Sequence, residues 1–162
     1  MLRFRDAAVT DPDAHRLLGD YFAERAAGFP PEQGEYRPTW PDPAQFTPPA
    51  GVFTVLHDEA GAAVGCGGVR RIPDAADGTV RYEVKHLWLA PAARGRGEGR
   101  RLLAELERRA VGFGAGELVL DTNASLEAAG ALYRSSGYID IEPYNDNPNA
   151  TRWYGKSLRA VD

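Results

Sequence analysis

The segment PAARGRGEG, Pro91–Gly99, constrains the fold more than any other stretch of the chain. It carries three glycines and two arginines between an apolar run and a helical pattern. Because glycine weakens strands and helices, its repetition indicates an unusual backbone conformation or the close approach of a ligand. A glycine loop that opens a helix presents unpaired N–H groups at the positive end of the helix dipole. The segment therefore predicts an anion site suited to a phosphate.

The first half of the chain predicts a strand, a helix, a long loop and an antiparallel meander. Residues 2–5 form the strand, and TDPDAHRLLGDYFAERA forms a helix capped by Thr10 or Asp11. The proline-rich segment 28–51 has no periodicity and predicts an irregular loop with one short helical turn. Three apolar runs then predict the meander: GVFTVLHD, AAVGCGGVRRI and TVRYEVKHLWLAP.

The second half predicts alternating helices and strands. GRRLLAELERRAVGFGAG places leucines on one helical face, and the short strand ELVLDT follows it. SLEAAGALYRSSGY predicts another helix with Ser125 as its cap, and TRWYGKSL a final strand. A strand, helix and strand in succession indicate parallel neighbours. We therefore expect a mixed α/β (α+β) fold with helices on both faces of a central sheet.

Length and charge limit the domain organisation and the partners. The 162 residues contain no linker or internal repeat, so we expect a single domain over 1–162. The net charge of -4 argues against nucleic acid as the main partner. No apolar stretch approaches the roughly 20 residues needed to cross a bilayer, and MLRFRDAAVTD lacks the core of a signal peptide. We expect a soluble, cytoplasmic protein with no membrane partner.

Cysteine and histidine residues show no metal-binding pattern. Cys66 is the single cysteine, which excludes an internal disulfide and a cysteine-based zinc cluster, and we expect a buried structural thiol. The histidines His15, His57 and His86 lack a ligand spacing such as H-x-x-x-H. The sequence therefore predicts no metal site.

Other phosphate-binding motifs fit the glycine loop poorly. A P-loop requires G-x-x-x-x-G-K-S/T, and no lysine lies between Lys85 and Lys156. A dinucleotide fingerprint G-x-G-x-x-G would place its third glycine at Arg100, and the loop follows a meander rather than the first strand. The pattern that fits is Q/R-x-x-G-x-G/A, with Arg94, Gly97 and Gly99.

This pattern and a second motif resemble those of the GNAT N-acetyltransferases. ALYRSSGY, Ala131–Tyr138, resembles the end of a later helix in that family, and both motifs occur in the family's order on the expected elements. The resemblance implies the GNAT fold, with a sheet splayed between its fourth and fifth strands. It also implies direct transfer of an acetyl group from acetyl-CoA to a primary amine.

The resemblance further implies the roles of individual residues. Tyr133 aligns with the tyrosine that protonates the coenzyme A thiolate. Glu83 lies eleven residues before Arg94, as a catalytic base does in some members; the alternative is a strand carboxylate paired with Arg81 or Lys85. The family often has an asparagine that contacts the coenzyme where this chain has Leu126. The nearest asparagine is Asn123, which either contacts the coenzyme or only caps a helix. Coenzyme contacts are expected from Leu87, Trp88, Leu89, Arg94, Gly95, Arg96, Gly97, Glu98, Gly99, Arg100 and Asn123.

The acceptor is expected to bind between two irregular segments. Tyr36, Trp40 and Phe46 lie in the proline-rich loop, and EPYNDNPNATRWY supplies further aromatic and amide groups. Aromatic walls with a few polar groups favour a small-molecule amine over a protein tail. A protein or peptide acetyltransferase, a non-catalytic acyl-CoA-binding module and an RNA binder using RGRG are the alternatives, and a homodimer stays open.

Overall fold

The protein, seen in a computed structural model that describes residues 1–158, is built on seven strands and three helices. The strands are β1 (Arg3–Asp6), β2 (Gly51–His57), β3 (Ala63–Ile72), β4 (Arg81–Leu89), β5 (Glu117–Thr122), β6 (Ile139–Asp140) and β7 (Arg152–Ser157). The helices are α1 (Pro12–Ala27), α2 (Glu98–Gly112) and α3 (Glu127–Ser135). The strand order in the sheet is β1-β2-β3-β4-β5-β7-β6, and β4 and β5 are parallel neighbours.

The helices cover both faces of this mixed sheet. On one face, apolar residues of α1 pack against β2 and β3, including Leu18 and Phe22 against Phe53. On the other face, α2 and α3 contribute residues such as Leu106 and Tyr133 to a larger buried cluster. Each helix thus buries its apolar stripe against the sheet. The mixed α/β fold with helices on both faces is confirmed.

The two predicted helix caps have different outcomes. Asp11 caps α1, because its carboxylate accepts hydrogen bonds from two backbone amides of the first turn at 3.0 and 3.4 Å. Ser125 does not cap α3, which begins at Glu127. Instead, Asn123 Oδ1 accepts a hydrogen bond of 3.0 Å from the Ser125 amide. This local turn keeps Ser125 outside the helix.

The segment between α1 and β2 is irregular, as expected, and contains two short 3-10 turns. They span Pro31–Gln33 and Pro43–Phe46. Phe46 is buried, and its ring lies 6.2 Å from that of Phe53 in β2. The second turn is therefore anchored on the same face of the sheet as α1.

The ladder between β4 and β5 ends early, and β4 carries a bulge where it separates. Only Arg81, Tyr82 and Glu83 pair with β5. The β3–β4 register shifts at His86, whose φ is 58°. The extra residue reverses the alternation of side chains. Consequently His86 contacts Phe22 on the α1 face, whereas the next residue packs on the opposite face. The expected splay between the fourth and fifth strands is confirmed.

The bulge leaves the His86 imidazole in an apolar setting. Its Nδ1 atom is buried and has no hydrogen-bond partner among residues 1–158. The ring lies near the rings of Tyr21, Phe22 and Phe46. Burial, and then the nearby positive charges of Lys85 and Arg70, lowers the pKa of His86 to about 3. The imidazole is therefore neutral at physiological pH.

Replacing Gly51 by alanine should destabilise the fold. An added Cβ would lie 2.2 Å from the Val69 carbonyl oxygen and 2.3 Å from that of Gln45, so backbone atoms must move. Overpacking of this kind costs about 1–3 kcal/mol or more of unfolding free energy. Gly112→Ala is the matched control, because its Cβ meets nothing within 4 Å and alanine favours a helix. Denaturant unfolding of both variants measures the difference, and equal stabilities would contradict this packing.

Replacing His86 by asparagine should reduce the acid sensitivity of folding. An unfolded histidine has a pKa near 6.5, whereas folded His86 has a pKa of about 3. Between these values the unfolded chain binds one proton more than the folded chain. The unfolding free energy therefore decreases as the pH is lowered, by up to about 1.4 kcal/mol per pH unit. Asparagine tolerates the positive φ and carries no titratable group. Unfolding free energies at pH 6, 5 and 4 should therefore fall less steeply in His86→Asn than in wild type; identical slopes would refute the assignment.

Candidate active site

The gap between β4 and β5 opens into a cleft of about 1020 Å³. The separated ends of the two strands line its centre, and the glycine loop and the first turn of α2 line one side. Parts of α1, the irregular segment before β2 and the segment before β7 line the rest. The motifs singled out in the sequence are thus brought to one site.

The glycine loop presents open backbone to the cleft. Gly95 and Gly97 have φ values of 81° and 79°, in the left-handed region that favours glycine. A Cβ on either residue would meet nothing within 4 Å. Gly97 is the N-cap of α2, and its carbonyl accepts from the Arg101 amide. The next amides of the helix lack intrahelical acceptors by geometry, so this end is suited to phosphate oxygens.

The arginines around the loop have different surroundings. Arg94 lines the cleft, but its guanidinium donates to Glu24 at 2.7 Å and to the Leu89 carbonyl at 2.9 Å. Its positive charge is therefore paired, and it ties α1 to the loop. Arg100 lines the cleft and donates to the Ser135 hydroxyl at 2.7 Å, joining α2 to α3. Arg96 does not line the cleft.

The end of β4 has one paired edge and one open edge. Trp88 and Leu89 pair with Cys66 and Gly65 of β3, while beyond Glu83 the edge toward β5 has no ladder partner. An extended ligand arm could therefore hydrogen-bond to this edge as a strand would. The Trp88 indole donates to Glu24 at 2.5 Å and packs against the buried residues on the α1 face, which gives this side chain a mainly structural role.

Tyr133 faces the cleft from α3. It is 7% exposed and packs against the rings of Tyr138 and Tyr154 at 6.1 and 6.0 Å. Its hydroxyl forms no hydrogen bond with the described residues, and it is not fully buried. Because Tyr133 lines the cleft, this hydroxyl is accessible from there. Burial raises the pKa of this phenol, so it stays protonated. A protonated hydroxyl facing the cleft is suited to proton donation.

Glu83 lies beneath the cleft and not on its lining. It is 1% exposed, and its carboxylate accepts from Arg70 at 3.0 Å and from the Tyr144 hydroxyl at 2.6 Å. Lys85 Nζ lies 3.7 Å away. The geometry thus favours the structural alternative, an ion pair with Lys85, and adds Arg70 in place of the expected Arg81.

Asp121 is a cleft residue that the sequence analysis missed. Lys85 Nζ donates to its carboxylate at 2.9 Å, Asn145 at 2.7 Å and Asn147 at 3.1 Å. Burial alone would raise the pKa of this carboxyl, but the lysine charge and the amide donors hold it below its ordinary value. A carboxylate so fully paired is a poor base and a good anchor. Its only sequence signal was an acidic residue near the end of the predicted strand ELVLDT.

Asn123 does not line the cleft. It is 1% exposed, and its amide donates to Gln33 Oε1 at 2.7 Å and to the Asn149 carbonyl at 3.1 Å. Both donor hydrogens therefore hold the loops together, and the expected coenzyme contact gains no support. Of the ten other expected coenzyme residues, all except Arg96 line the cleft: Leu87, Trp88, Leu89, Arg94, Gly95, Gly97, Glu98, Gly99 and Arg100.

The two irregular segments meet across the cleft. Tyr36 and Trp40 line it from one side, and Asn145 and Asn147 from the other. Trp40 also stacks on His15 at 4.6 Å, so it both covers α1 and borders the cleft. Phe46 and Tyr144, which we expected near the acceptor, contribute instead to the packing beneath.

The described part of the chain offers neither a metal cluster nor a membrane span. Within residues 1–158, no three histidine, cysteine or acidic side chains are grouped to hold a metal ion. None of the helices in that range is both long and apolar enough to cross a bilayer.

Comparisons with known proteins agree with this geometry. The sequence model of the acetyltransferase (GNAT) family matches residues 14–138. An uncharacterized N-acetyltransferase of Schizosaccharomyces pombe is 36% identical over 64% of this chain and 61% of its own length. The IAA acetyltransferase of Azospirillum brasilense is 36% identical over 52% of this chain and 53% of its own length. The chain thus matches less than two thirds of the length of these relatives.

Solved structures share the fold over nearly the whole chain. A candidate acyl-CoA N-acyltransferase from Klebsiella pneumoniae superposes with a TM-score of 0.74 at 28% identity, covering 98% of this chain and 99% of the other. A phosphinothricin acetyltransferase from Sinorhizobium meliloti in complex with AcCoA gives 0.72 at 22% identity, covering 97% and 88%. Because the family model matches most of the chain, the protein belongs to the GNAT family of acetyltransferases, and hence to the acyltransferases.

Proposed function

We propose that the protein transfers the acetyl group of acetyl-CoA directly to the primary amine of a small molecule. One observation carries the proposal: the left-handed glycines before α2, the open edge of β4 and Tyr133 border a single cleft. Acetyl-CoA would supply an acetyl group activated as a thioester. The residues of this chain would bind it, orient the amine beside it and move the protons.

The coenzyme fits the two backbone features described above. The pyrophosphate would lie at the first turn of α2, where Gly95 and Gly97 leave room for its oxygens. The pantetheine arm would run along the open edge of β4 at Leu87–Leu89. A β4 amide near the thioester oxygen would stabilise the charge that develops there.

Tyr133 would donate the proton that the departing thiolate requires. Among residues 1–158 its hydroxyl has no partner that would compete for this role, and the raised pKa keeps the proton in place until the thiolate forms. Arg94 would hold the loop through its pair with Glu24 and would not bind phosphate as a free charge.

The proton of the amine would pass to water in the cleft. A free alkyl amine has a pKa near 10.4, so a small neutral fraction exists at neutral pH. Glu83 is enclosed by Arg70, Lys85 and Tyr144, which supports a positioning role for it beneath the site. The bound geometry would then supply most of the acceleration.

The lining of the cleft supports a small acceptor. Tyr36 and Trp40 on one segment and Asn145 and Asn147 on the other enclose the side of the cleft away from the glycine loop. Such walls suit a compact amine more than an extended peptide. Release of free thiol from acetyl-CoA, followed with small amines and with peptides, tests the proposal. Coenzyme binding without thiol release would instead support a non-catalytic module, and faster reaction with peptides a protein acetyltransferase.

Gly97→Val should weaken acetyl-CoA binding by on the order of tenfold or more. The branched side chain would occupy the space open to the phosphate, and the positive φ of 79° adds backbone strain of about 1–2 kcal/mol. Gly78→Val is the matched control, since its φ is 86° and its Cβ space is equally open, but it lies in the β3–β4 loop. Calorimetric titration with acetyl-CoA should show weaker binding only in Gly97→Val. Equal affinities of the two variants would contradict the placement of the coenzyme at this loop.

Tyr133→Phe should lower kcat by about 100-fold or more while leaving acetyl-CoA affinity nearly unchanged. The ring and its packing remain, and only the proton donor is lost. Tyr138→Phe is the control, because it removes a neighbouring hydroxyl that bonds Glu107 at 2.9 Å outside the cleft lining. Steady-state kinetics with the best amine compares the two variants. If both lose the same activity, Tyr133 is not the donor.

A further inference from the structure

Among residues 1–158, two arginines that line the cleft have no partner for their charge. Arg25, on the last turn of α1, is half-buried, and Arg37, on the segment before β2, is exposed. Neither guanidinium forms an ion pair or hydrogen bond with any residue between 1 and 158. The closest described contact of Arg25 is aromatic, since its guanidinium carbon lies 5.5 Å from the centre of the Tyr36 ring.

Three of the other four cations that line the cleft are neutralised by carboxylates, and the fourth, Arg100, donates to the Ser135 hydroxyl at the end of α3. Lys85 lies 2.9 Å from Asp121, and Arg70 lies 3.0 Å from the buried Glu83. Arg94 is paired with Glu24 at 2.7 Å. Asp42 also lines the cleft, but its Oδ1 accepts a hydrogen bond of 2.9 Å from the Ala44 amide in a 3-10 turn. Apart from Arg100, which adjoins the glycine loop, the uncompensated positive charge of the cleft lining is thus concentrated at Arg25 and Arg37.

Arg25 acts electrostatically on three tyrosines of the cleft lining. Burial raises the pKa of Tyr21, Tyr36 and Tyr133, and in each case the charge of Arg25 acts in the opposite direction. That coupling includes the proposed proton donor. Withdrawing a guanidinium from water without a partner costs free energy, which a bound anion would recover.

The position of Arg37 is fixed by its backbone. Its amide donates to Asn149 Oδ1 at 3.0 Å, and its carbonyl accepts from Asn149 Nδ2 at 2.7 Å. These bonds join the two segments that enclose the acceptor side, while the guanidinium itself stays unpaired. Two segments and α1 therefore converge on one region with two available guanidinium groups.

We propose that Arg25, assisted by Arg37, binds a carboxylate or comparable oxyanion of the acceptor, so the substrate is an amine that also carries negative charge. Guanidinium groups match such oxyanions with paired hydrogen bonds. The inference rests on the proposed acetyl transfer and narrows its acceptor to amino acids and related anionic amines. Polyamines, which carry only positive charge, would be repelled.

Matched pairs of amines test this inference. Amino acids such as phenylalanine and β-alanine are compared with their decarboxylated counterparts, with thiol release as the readout. Wild type should favour the carboxylate-bearing member by on the order of tenfold to a hundredfold in kcat/KM. Arg25→Gln should raise KM for that member by a similar factor and leave the decarboxylated amine and acetyl-CoA affinity unchanged. Arg25→Lys should retain part of the preference.

Arg3→Gln is the control, because it removes the same charge from β1 at the far edge of the sheet. The inference would be overturned if wild type showed no preference for the carboxylate-bearing amine, or if Arg25→Gln lost equal activity toward both members of a pair. Either result would leave the proposed acetyl transfer intact. Weaker acetyl-CoA binding in Arg25→Gln would also overturn it, since Arg25 would then belong to the coenzyme side. If wild type binds acetyl-CoA and acetylates no amine of either kind, the proposed function itself fails.

Discussion

The site depends on the place where β4 and β5 stop pairing. After Glu83 the two strands diverge, and the bulge at His86 shifts the register in which the next residues of β4 pair with β3. A buried edge with free backbone groups is costly unless a ligand or water satisfies it. The same divergence creates the cleft and exposes the strand edge along which an extended arm can bind. The separation therefore produces both the space and the hydrogen-bonding groups of the site.

The divergence also determines where charge can be placed. Lys85, Glu83, Asp121 and Arg70 fill the base of the gap as two close ion pairs, and amide groups complete the hydrogen bonding. A balanced cluster of this kind limits the cost of burying charges. It leaves the proposed acceptor side with two guanidinium groups that are unpaired among residues 1–158, and the glycine loop with the free amides of α2. Two regions that attract anions thus flank a neutral centre.

The local motifs were predictable, and their tertiary partners were not. The glycines at 95 and 97 and the aromatic motif at Tyr133 could be recognised because backbone conformation and helix ends leave local signals. The orientation of Glu83 could not, since it depends on Tyr144, sixty-one positions away in sequence. Likewise Asn123 is enclosed by loops from both halves of the chain. Contacts between distant segments leave no periodic pattern in a single sequence.

The pair between Glu24 and Arg94 joins two parts of the cleft lining. Glu24 ties the last turn of α1 to the glycine loop, and Arg25 lies next to it on the same helix. A single helical turn thus carries one residue that supports the loop and one guanidinium that lines the cleft. A substitution that displaces the end of α1 would therefore affect both parts of the cleft together.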